Sequence, residues 1–173
     1  MFKKILVPID GSKASRLGLW EGIKLAKDQG ATLYLFHVLE EEIMFQERSA
    51  RGLIANAYLK VVHDGGKKLI ANAQAMAKKV HVPTKAFTDE SLAGGTADLI
   101  VKQAKKLKAD LIVIGTHGRR GIRRLVMGSD AEAVVRNSPI PVMLVRASAP
   151  QRRAIPTRRT VKTGPASAAG KRA

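Results

Sequence analysis

Residues 109–129 read ADLIVIGTHGRRGIRRLVMGS: an apolar run, a segment rich in glycine and arginine, and then Gly128-Ser129. The apolar part, 109–115, is the most hydrophobic run in the chain and is typical of a strand buried on both faces of a parallel sheet. The amphipathic segment from Ser129 to Asn137 predicts a short helix. A strand that leads into a helix in this way is half of a βαβ unit, so this stretch predicts an α/β fold.

The same alternation runs outward through the rest of residues 1–146. Further strands are predicted at 3–10, 31–39, 82–88 and 141–146, and further helices at 13–29, 53–79 and 96–107. Ser12 caps the first helix and Gly30 ends it. We expect this helix to turn one side to the core, with these residues on it: Leu17, Trp20, Ile23, Leu25 and Ala26.

Five strands that alternate with four helices predict a single doubly wound parallel sheet with helices on both faces. In the flavodoxin-like strand order 3-2-1-4-5, the third strand is an edge, which suits Pro83 at its start. Ligands of such sheets bind beyond the carboxyl ends of the strands, where the strand order reverses. We therefore expect a crevice between Ile9-Asp10-Gly11 and residues 115–118.

The composition of the 173-residue chain excludes several classes of protein. There is no cysteine, which rules out disulfide scaffolds, thiolate metal sites and cysteine nucleophiles, and agrees with a reducing cytoplasm. No apolar run approaches the length of a membrane span, and the first residues do not resemble a signal peptide. We expect a cytoplasmic protein without a transmembrane segment.

The net charge is +17, which favours an anionic partner. Residues 147–173 carry seven of the basic residues and no acid, leaving +10 for residues 1–146. The tail is also rich in Pro, Ala, Ser and Thr, a composition typical of disorder. We predict an α/β domain at 1–146 and a disordered basic tail at 147–173 that contacts nucleic acid or anionic surfaces without specificity.

The segment after the fourth strand combines features that suit phosphate. Gly115 and Gly118 permit positive φ and a close approach of the backbone to a ligand. Gly128-Ser129 begins a helix, whose first amides lie at the positive end of its dipole. The alternative is that the two glycines serve only as turn residues and that Ser129 is an ordinary helix cap. Composition by itself leaves both readings open.

Three motifs in this order resemble a known family. Gly115-x2-Gly118-x9-Gly128-Ser129 matches the Gly-x2-Gly-x9-Gly-Ser/Thr signature of nucleotide-binding universal stress proteins. Residues 5–12 are similar to the family's first strand and residues 139–145 to its last. Gly94-x-x-Ala97 resembles the opening of its third helix, although Thr96 stands where proline is usual. The resemblance covers residues 3–146.

This resemblance implies a crevice for ATP or ADP, with or without Mg²⁺. Asp10 corresponds to the residue that reaches the adenosine end, and the backbone of Val38 to the one that meets adenine. The acid at Asp130 departs from what an anion site needs, and we expect it to face outward. The nucleotide-binding residues implied are Pro8, Ile9, Asp10, Val38, Gly115, Thr116, His117, Gly118, Arg119, Gly128, Ser129 and Asp130.

Several enzyme classes lack their motifs in this sequence. It contains no Gly-x-Ser-x-Gly elbow, no Gly-x4-Gly-Lys-Ser/Thr P-loop and no Gly-x-Gly-x-x-Gly after the first strand. The resemblance implies a stress-response sensor or regulator that binds nucleotide and hydrolyses it slowly or not at all. The alternatives are a nucleic-acid-associated basic protein and, ranked last, a phosphotransfer or nucleotidyl enzyme.

The last strand also predicts an assembly. Its apolar residues would lie on an open sheet edge, and such edges are normally blunted or covered. Antiparallel pairing with a second copy would satisfy the edge with two-fold symmetry, and the resemblance implies the same homodimer. The edge residues are Val142, Met143, Leu144 and Val145.

Overall fold

A computed structural model describes residues 1–40, 52–91, 95–116 and 127–146. Strands and helices alternate through these ranges: β1 (Lys4–Pro8), α1 (Lys13–Gln29), β2 (Thr32–Glu40), α2 (Gly52–Lys78), β3 (Thr84–Ser91), α3 (Thr96–Leu107), β4 (Leu111–Gly115), α4 (Ser129–Asn137) and β5 (Val142–Val145). The predicted disordered tail at 147–173 lies outside the described residues.

All strand pairs in the sheet are parallel, and the order is β3-β2-β1-β4-β5. The predicted fold and strand order are confirmed, with β3 and β5 at the two edges. The third strand begins two residues later than expected. Val82 instead belongs to the turn that follows α2, because its amide donates to the carbonyl oxygen of Ala77 over 3.1 Å.

The two faces of the sheet carry separate apolar layers. One layer joins α1 and α2 to the sheet through residues such as Val7, Leu35 and Val113. The other joins α3 and α4 to it through residues such as Leu6 and Ile112. Alternate residues of a strand point to opposite faces, so β1 and β4 are covered on both sides and read as continuous apolar runs.

Helix α1 packs on the sheet through a row of small residues, with the larger Leu19 and the predicted core residue Ile23 buried beside them. Ala14, Gly18, Gly22 and Ala26, spaced four residues apart, are all buried. A Cβ on Gly22 would lie 2.7 Å from Val7 Cγ2, so the helix approaches closer than larger side chains would permit. Trp20 is 49% exposed, and its predicted place in the core was wrong.

The amino ends of β1 and β4 are tied together by Asp110. Its Oδ2 accepts hydrogen bonds from the backbone amides of Lys3 (2.7 Å) and Lys4 (2.8 Å). These two bonds, in that order, hold the pKa of Asp110 below its ordinary value of 3.8. These hydrogen bonds lie at the amino ends of the strands, opposite to the end at which the crevice is expected.

None of the helices in the described ranges combines the length and the apolar character needed to cross a bilayer.

Candidate functional site

The turn from β1 into α1 is held by its own polar side chains. The amide of Ser12 donates to Asp10 Oδ1 over 2.8 Å, and the amide of Asp10 donates to Ser15 Oγ over 3.1 Å. Gly11 between them has a φ of +81°, a left-handed conformation that favours glycine. Asp10 is thereby fixed at the carboxyl end of β1, half-buried, with its carboxylate beside the start of α1.

Ser15 is a residue of this site that the sequence interpretation missed. Its hydroxyl accepts from Asp10, while its own amide donates to Ser12 Oγ over 3.0 Å. Ser15 is buried, and its two partly buried hydrogen bonds, to Asp10 and to Ser12, fix the backbone of the turn. The spacing Asp10-x-Ser12-x2-Ser15 is a visible signal for such a cap, because short hydroxyl side chains return to nearby amides.

Gly115, the last residue of β4, is pressed against the start of α1. A Cβ there would lie 2.5 Å from both the carbonyl carbon and the oxygen of Ala14. Positive φ is not the reason for this glycine, since among described glycines only Gly11 and Gly30 have it. The expectation of special backbone at Gly115 was therefore wrong. The residue is small because α1 and β4 touch backbone to backbone.

Thr116 and Gly128 close the segment that leads from β4 to α4. The amide of Gly128 donates to the carbonyl oxygen of Thr116 over 2.8 Å, and the amide of Thr116 donates to Val145 over 3.0 Å. Two parts of the glycine motif that stand twelve positions apart are thus adjacent at the carboxyl edge of the sheet. His117, Gly118 and Arg119, the other implied residues of this segment, lie outside the described residues.

The first turn of α4 begins without a side-chain cap. Its cap residue is Gly128, in extended backbone with φ −63° and ψ 145°, and the described residues give the turn no side-chain cap bond. Any residue adopts that conformation, so glycine is not required there by φ. Ser129 and Asp130 are both exposed. The helix therefore presents its early amides, which have no partner within a helix, beside an exposed hydroxyl.

The expected adenosine end is formed by the ends of β1 and β2. Pro8 lies beside Phe36 in the register of β1 and β2, and Ile9, which follows, is buried and donates to the carbonyl oxygen of Phe36 over 2.8 Å. The carbonyl oxygen of Ile9 accepts from Nδ1 of the buried His37 over 2.7 Å. Val38 is half-buried next to this pair. These contacts give the β1–β2 end a rigid backbone.

The donor set of this edge suits an anion better than a metal ion. Exposed amides and a hydroxyl at a helix start are hydrogen-bond donors to phosphate. Within the described ranges, no three His, Cys, Asp or Glu residues come together in a way that could hold a metal. The residues present therefore fit the phosphate part of a nucleotide, while a metal that accompanies the phosphates would depend on oxygens of the ligand.

The fold and this edge define an α/β protein of flavodoxin-like topology, with an anion-competent helix start at the switch point of its sheet. The family model of universal stress proteins matches residues 1–146, and the chain belongs to that family. It is 35% identical over 149 residues to universal stress protein MJ0531 of Methanocaldococcus jannaschii, covering 84% of this chain and 83% of that protein. To universal stress protein YxiE of Bacillus subtilis it is 32% identical, covering 84% and 100%.

Solved structures share the fold at lower identity. The hypothetical protein MJ0577 superposes with a TM-score of 0.75 at 24% identity, over 86% of this chain and 98% of that one. The universal stress protein UspA of Lactobacillus plantarum gives 0.71 at 22%, over 84% and 98%. Three further relatives were solved with cAMP, with dAMP (from Archaeoglobus fulgidus) and with AMP (from Arabidopsis thaliana), at TM-scores of 0.58, 0.56 and 0.60.

Proposed function

We propose that this universal stress protein binds ATP or ADP in the crevice beyond the carboxyl ends of β1 and β4. The bound nucleotide would make it a cytoplasmic sensor or regulator in a stress response. The phosphates would lie at the start of α4, against Gly128, Ser129 and the segment 115–119. The adenosine would lie toward Asp10 and Val38. Asp130 is exposed and adjoins the helix dipole without facing this crevice in the proposal.

The observation that carries the proposal is the hydrogen bond from the Gly128 amide to the Thr116 carbonyl oxygen, 2.8 Å long. It brings the two halves of the motif Gly115-x2-Gly118-x9-Gly128-Ser129 to one edge, next to the turn that holds Asp10. Turn glycines or a plain helix cap would not need this convergence. The uncapped start of α4 supports the phosphate interpretation as well, because its amides remain available to a ligand.

Adenine nucleotides in three structural relatives support the class of ligand. Those relatives hold monophosphates or a cyclic monophosphate. The preference for ATP or ADP in this chain rests instead on the glycine motif and on the cations near it. Arg119, Arg120, Arg123 and Arg124 follow Gly118 in the sequence and would neutralise additional phosphate charge, of which Arg119 is the one we expect to touch the nucleotide.

Regulation would come from the segment between Thr116 and Gly128. Contacts from its backbone and arginines to the phosphates would select one arrangement of the segment and alter the surface offered to a partner protein. We propose slow hydrolysis or none, because the sequence lacks the P-loop lysine and hydroxyl that serve phosphoryl transfer in common NTPases. Mg²⁺ would enter with the nucleotide.

The nucleotide site is tested by isothermal titration of ATP, ADP, AMP and cAMP into the full chain. Gly118→Val and Gly128→Val should each weaken ATP at least tenfold, about 1.4 kcal/mol, because a side chain would stand where the phosphates approach. The φ and ψ of Gly128 are ones that valine also adopts, so this variant should fold, with a small loss of stability because valine is a poorer cap than glycine. Gly65→Val is the matched control, since Gly65 lies in α2 with nothing within 4 Å of a new Cβ. Unchanged ATP affinity in both folded variants would refute the site.

The edge strand β5 supports a homodimer as part of the proposal. Among the described residues, only β4 pairs with it, and Met143 and Leu144 are each 38% exposed. Antiparallel pairing of two β5 strands would satisfy their backbones and cover these side chains. Replacement of Val142 and Leu144 with Lys should give a monomer in light scattering that still binds ATP. A wild-type protein that is monomeric at tens of micromolar would rule out the dimer.

A further inference from the structure

The solvent side of α1 carries a straight row of cations around one tryptophan. Lys13, Arg16, Trp20, Lys24 and Lys27 are all exposed, whereas the small residues of the same helix face the sheet. At 100° per residue these five positions occupy about 80° of the helix circumference, and the row is about 21 Å long. Trp20 stands four residues from Arg16 and four from Lys24, midway between two pairs of cations.

The charge of the row is largely available to a partner. Arg16 donates from NH1 to the carbonyl oxygen of Gly11 over 2.7 Å, which orients its guanidinium and leaves its other donors. Lys24 pairs with Glu21 over 2.7 Å, but both side chains are exposed, and such pairs are weak. Glu21 and Asp28 lie on the flank of the row and not within it. Four cations therefore face solvent on one side of the helix.

Trp20 is the only tryptophan of the chain, and it is 49% exposed. An isolated exposed apolar residue needs no explanation by itself. A large aromatic side chain at the centre of a cationic row is a different arrangement, since it places a half-exposed indole between two pairs of positive charges. That combination recurs in proteins that hold single-stranded nucleic acid, where bases stack on aromatic rings and cations follow the phosphates.

We propose that the α1 row, defined as Lys13, Arg16, Trp20, Lys24 and Lys27, is a docking surface for single-stranded nucleic acid. A base stacks on the indole of Trp20, and backbone phosphates meet the cation pair on either side. The surface lies on the helix face that points away from the sheet. Its first residues adjoin the turn that holds Asp10, where Arg16 bonds to Gly11, but the row itself is described without any ligand in the crevice, so this inference does not depend on the proposed function.

Charge and shape favour this occupant over a membrane or a protein. Interfacial helices need a broad apolar face, and the exposed side of α1 has one large apolar ring among four cations. An acidic protein surface would satisfy the cations but would give the exposed indole no matched partner. A single strand satisfies both features, and the stacking it uses tolerates any base. The expected binding is therefore insensitive to sequence and sensitive to salt.

Intrinsic fluorescence reads this contact directly, because all tryptophan emission comes from Trp20. Oligo(dT) titrated into the full chain at low salt should quench the emission as the base stacks on the indole. Heparin, a polyanion without bases, should bind without comparable quenching. Vesicles of phosphatidylcholine and phosphatidylglycerol should leave the emission maximum where it is. A blue shift with vesicles, together with no quenching by oligo(dT), would assign the surface to membranes and overturn the proposal.

Matched variants separate the row from the rest of the basic chain. The row variant changes Lys13, Lys24 and Lys27 to Gln, and the control changes Lys102, Lys105 and Lys106 of α3 to Gln. These control lysines are also exposed but belong to a helix on the opposite face of the sheet. Both variants keep the tail and lose the same charge, so any general electrostatic effect is equal in the two.

Binding of labelled oligo(dT), followed by fluorescence anisotropy, should respond to the row variant and to Trp20→Ala. Trp20→Ala should weaken binding about tenfold. The row variant should lower the slope of log K against log salt by about 2, at about 0.7 for each lost phosphate contact. The α3 control should keep the wild-type slope. Equal losses in the two lysine variants, or full affinity in Trp20→Ala, would place the contact elsewhere and overturn the proposal.

Discussion

Helices α1 and α4 both begin at the carboxyl edge of the sheet, as helices that follow parallel strands do, and their first turns differ. The start of α1 is closed by its own residues: Ser12 Oγ accepts from the Ser15 amide, and Asp10 accepts from the Ser12 amide. The start of α4 has Gly128 as its cap residue, with no side-chain bond to the turn. The serine cap of α1 satisfies one of its orphan amides, whereas the glycine cap of α4 has no side chain with which to do so.

The difference shows how a doubly wound fold distributes stability and binding between similar elements. The turn into α1 is short, is capped by its own side chains, and lies next to the contact of α1 with Gly115 of β4. Its conformation is therefore fixed. The start of α4 has a glycine cap, which costs only about 0.3 kcal/mol relative to serine, and under the proposed function its first amides bind an anion. Helix α3 also begins at a glycine, Gly95, without a side-chain cap bond, so the indication of a ligand at α4 comes from its position at the switch point of the sheet as well as from its open cap.

The largest effect is expected from adding a side chain at Gly115, where the backbones of α1 and β4 are in contact. Gly115→Ala would place a Cβ 2.5 Å from the backbone of Ala14 and force the two elements apart. We expect the free energy of unfolding to fall by about 3 kcal/mol, the upper part of the range for overpacking. Urea denaturation measures it. The control is Gly65→Ala in open space, which should be neutral or up to about 1 kcal/mol more stable. A Gly115→Ala protein as stable as wild type would refute backbone contact between α1 and β4.

Removal of the α1 cap should have a smaller effect. Ser12→Ala deletes the oxygen that accepts from the Ser15 amide over 3.0 Å, and should lower the free energy of unfolding by about 1 kcal/mol. Urea denaturation again gives the value. Ser129→Ala at the corresponding turn of α4 should change stability by less than half as much, since its hydroxyl makes no capping bond there. Equal losses would erase the distinction between the two helix starts.

The amino end of the sheet supplies a contrast that depends on pH. Asp110→Asn weakens the bonds from the Lys3 and Lys4 amides, and should lower stability at pH 7 by about 0.5 kcal/mol, because the carboxylate is exposed. The pKa of Asp110 is lowered on folding, so its contribution is complete above 3.8 and is lost as the pH falls through the folded value. Denaturation of both proteins at pH 7 and under acid should show the difference vanish. A difference that persists under acid would exclude a role for the charge.

The smallest change in stability is expected from adding the missing cap. Gly128→Ser should raise the free energy of unfolding by roughly 0.3 kcal/mol, since serine caps slightly better than glycine. Under the proposed function the same hydroxyl competes with phosphate for the first amides of α4, so ATP affinity should fall while stability rises. Calorimetry and urea denaturation on one preparation test both signs. An ATP affinity that rises together with stability would contradict this use of the open helix start.

The sequence was sufficient for the succession of strands and helices and for both ends of α1, because these depend on local signals, whereas the strand order was taken from flavodoxin-like sheets. Alternating periods locate the elements, Ser12 caps the helix, and Gly30 ends it in left-handed conformation at φ 60°. Trp20 was misplaced because apolar character was taken as the mark of the buried side. The side of α1 that lies on the sheet is marked instead by small residues at every fourth position from Ala14 to Ala26. Their spacing is informative only for a helix that packs closely on a sheet.

The candidate site was partly accessible from the sequence. The motif indicated Gly115 and Gly128, but it did not reveal why they are glycines. Gly115 must lack a side chain because it contacts the backbone of Ala14, more than a hundred positions earlier in the chain. Such a long-range contact leaves no local pattern in the sequence. The hydrogen bond of Thr116 with Gly128 likewise joins two backbone groups. Every residue type carries these groups, so the sequence does not indicate which of them will pair.

The bond between Thr116 and Gly128 also bears on how this protein can change. It joins the two ends of the segment 117–127, so the rest of the sheet is insulated from the length of what lies between them. The entropy of closing a flexible segment grows slowly, by about 0.6 kcal/mol for each doubling of its length. A change in the number of residues between Thr116 and Gly128 would therefore cost the sheet little. Under the proposed function it would alter the spacing of the glycine motif, so that nucleotide binding would change while the scaffold remained the same.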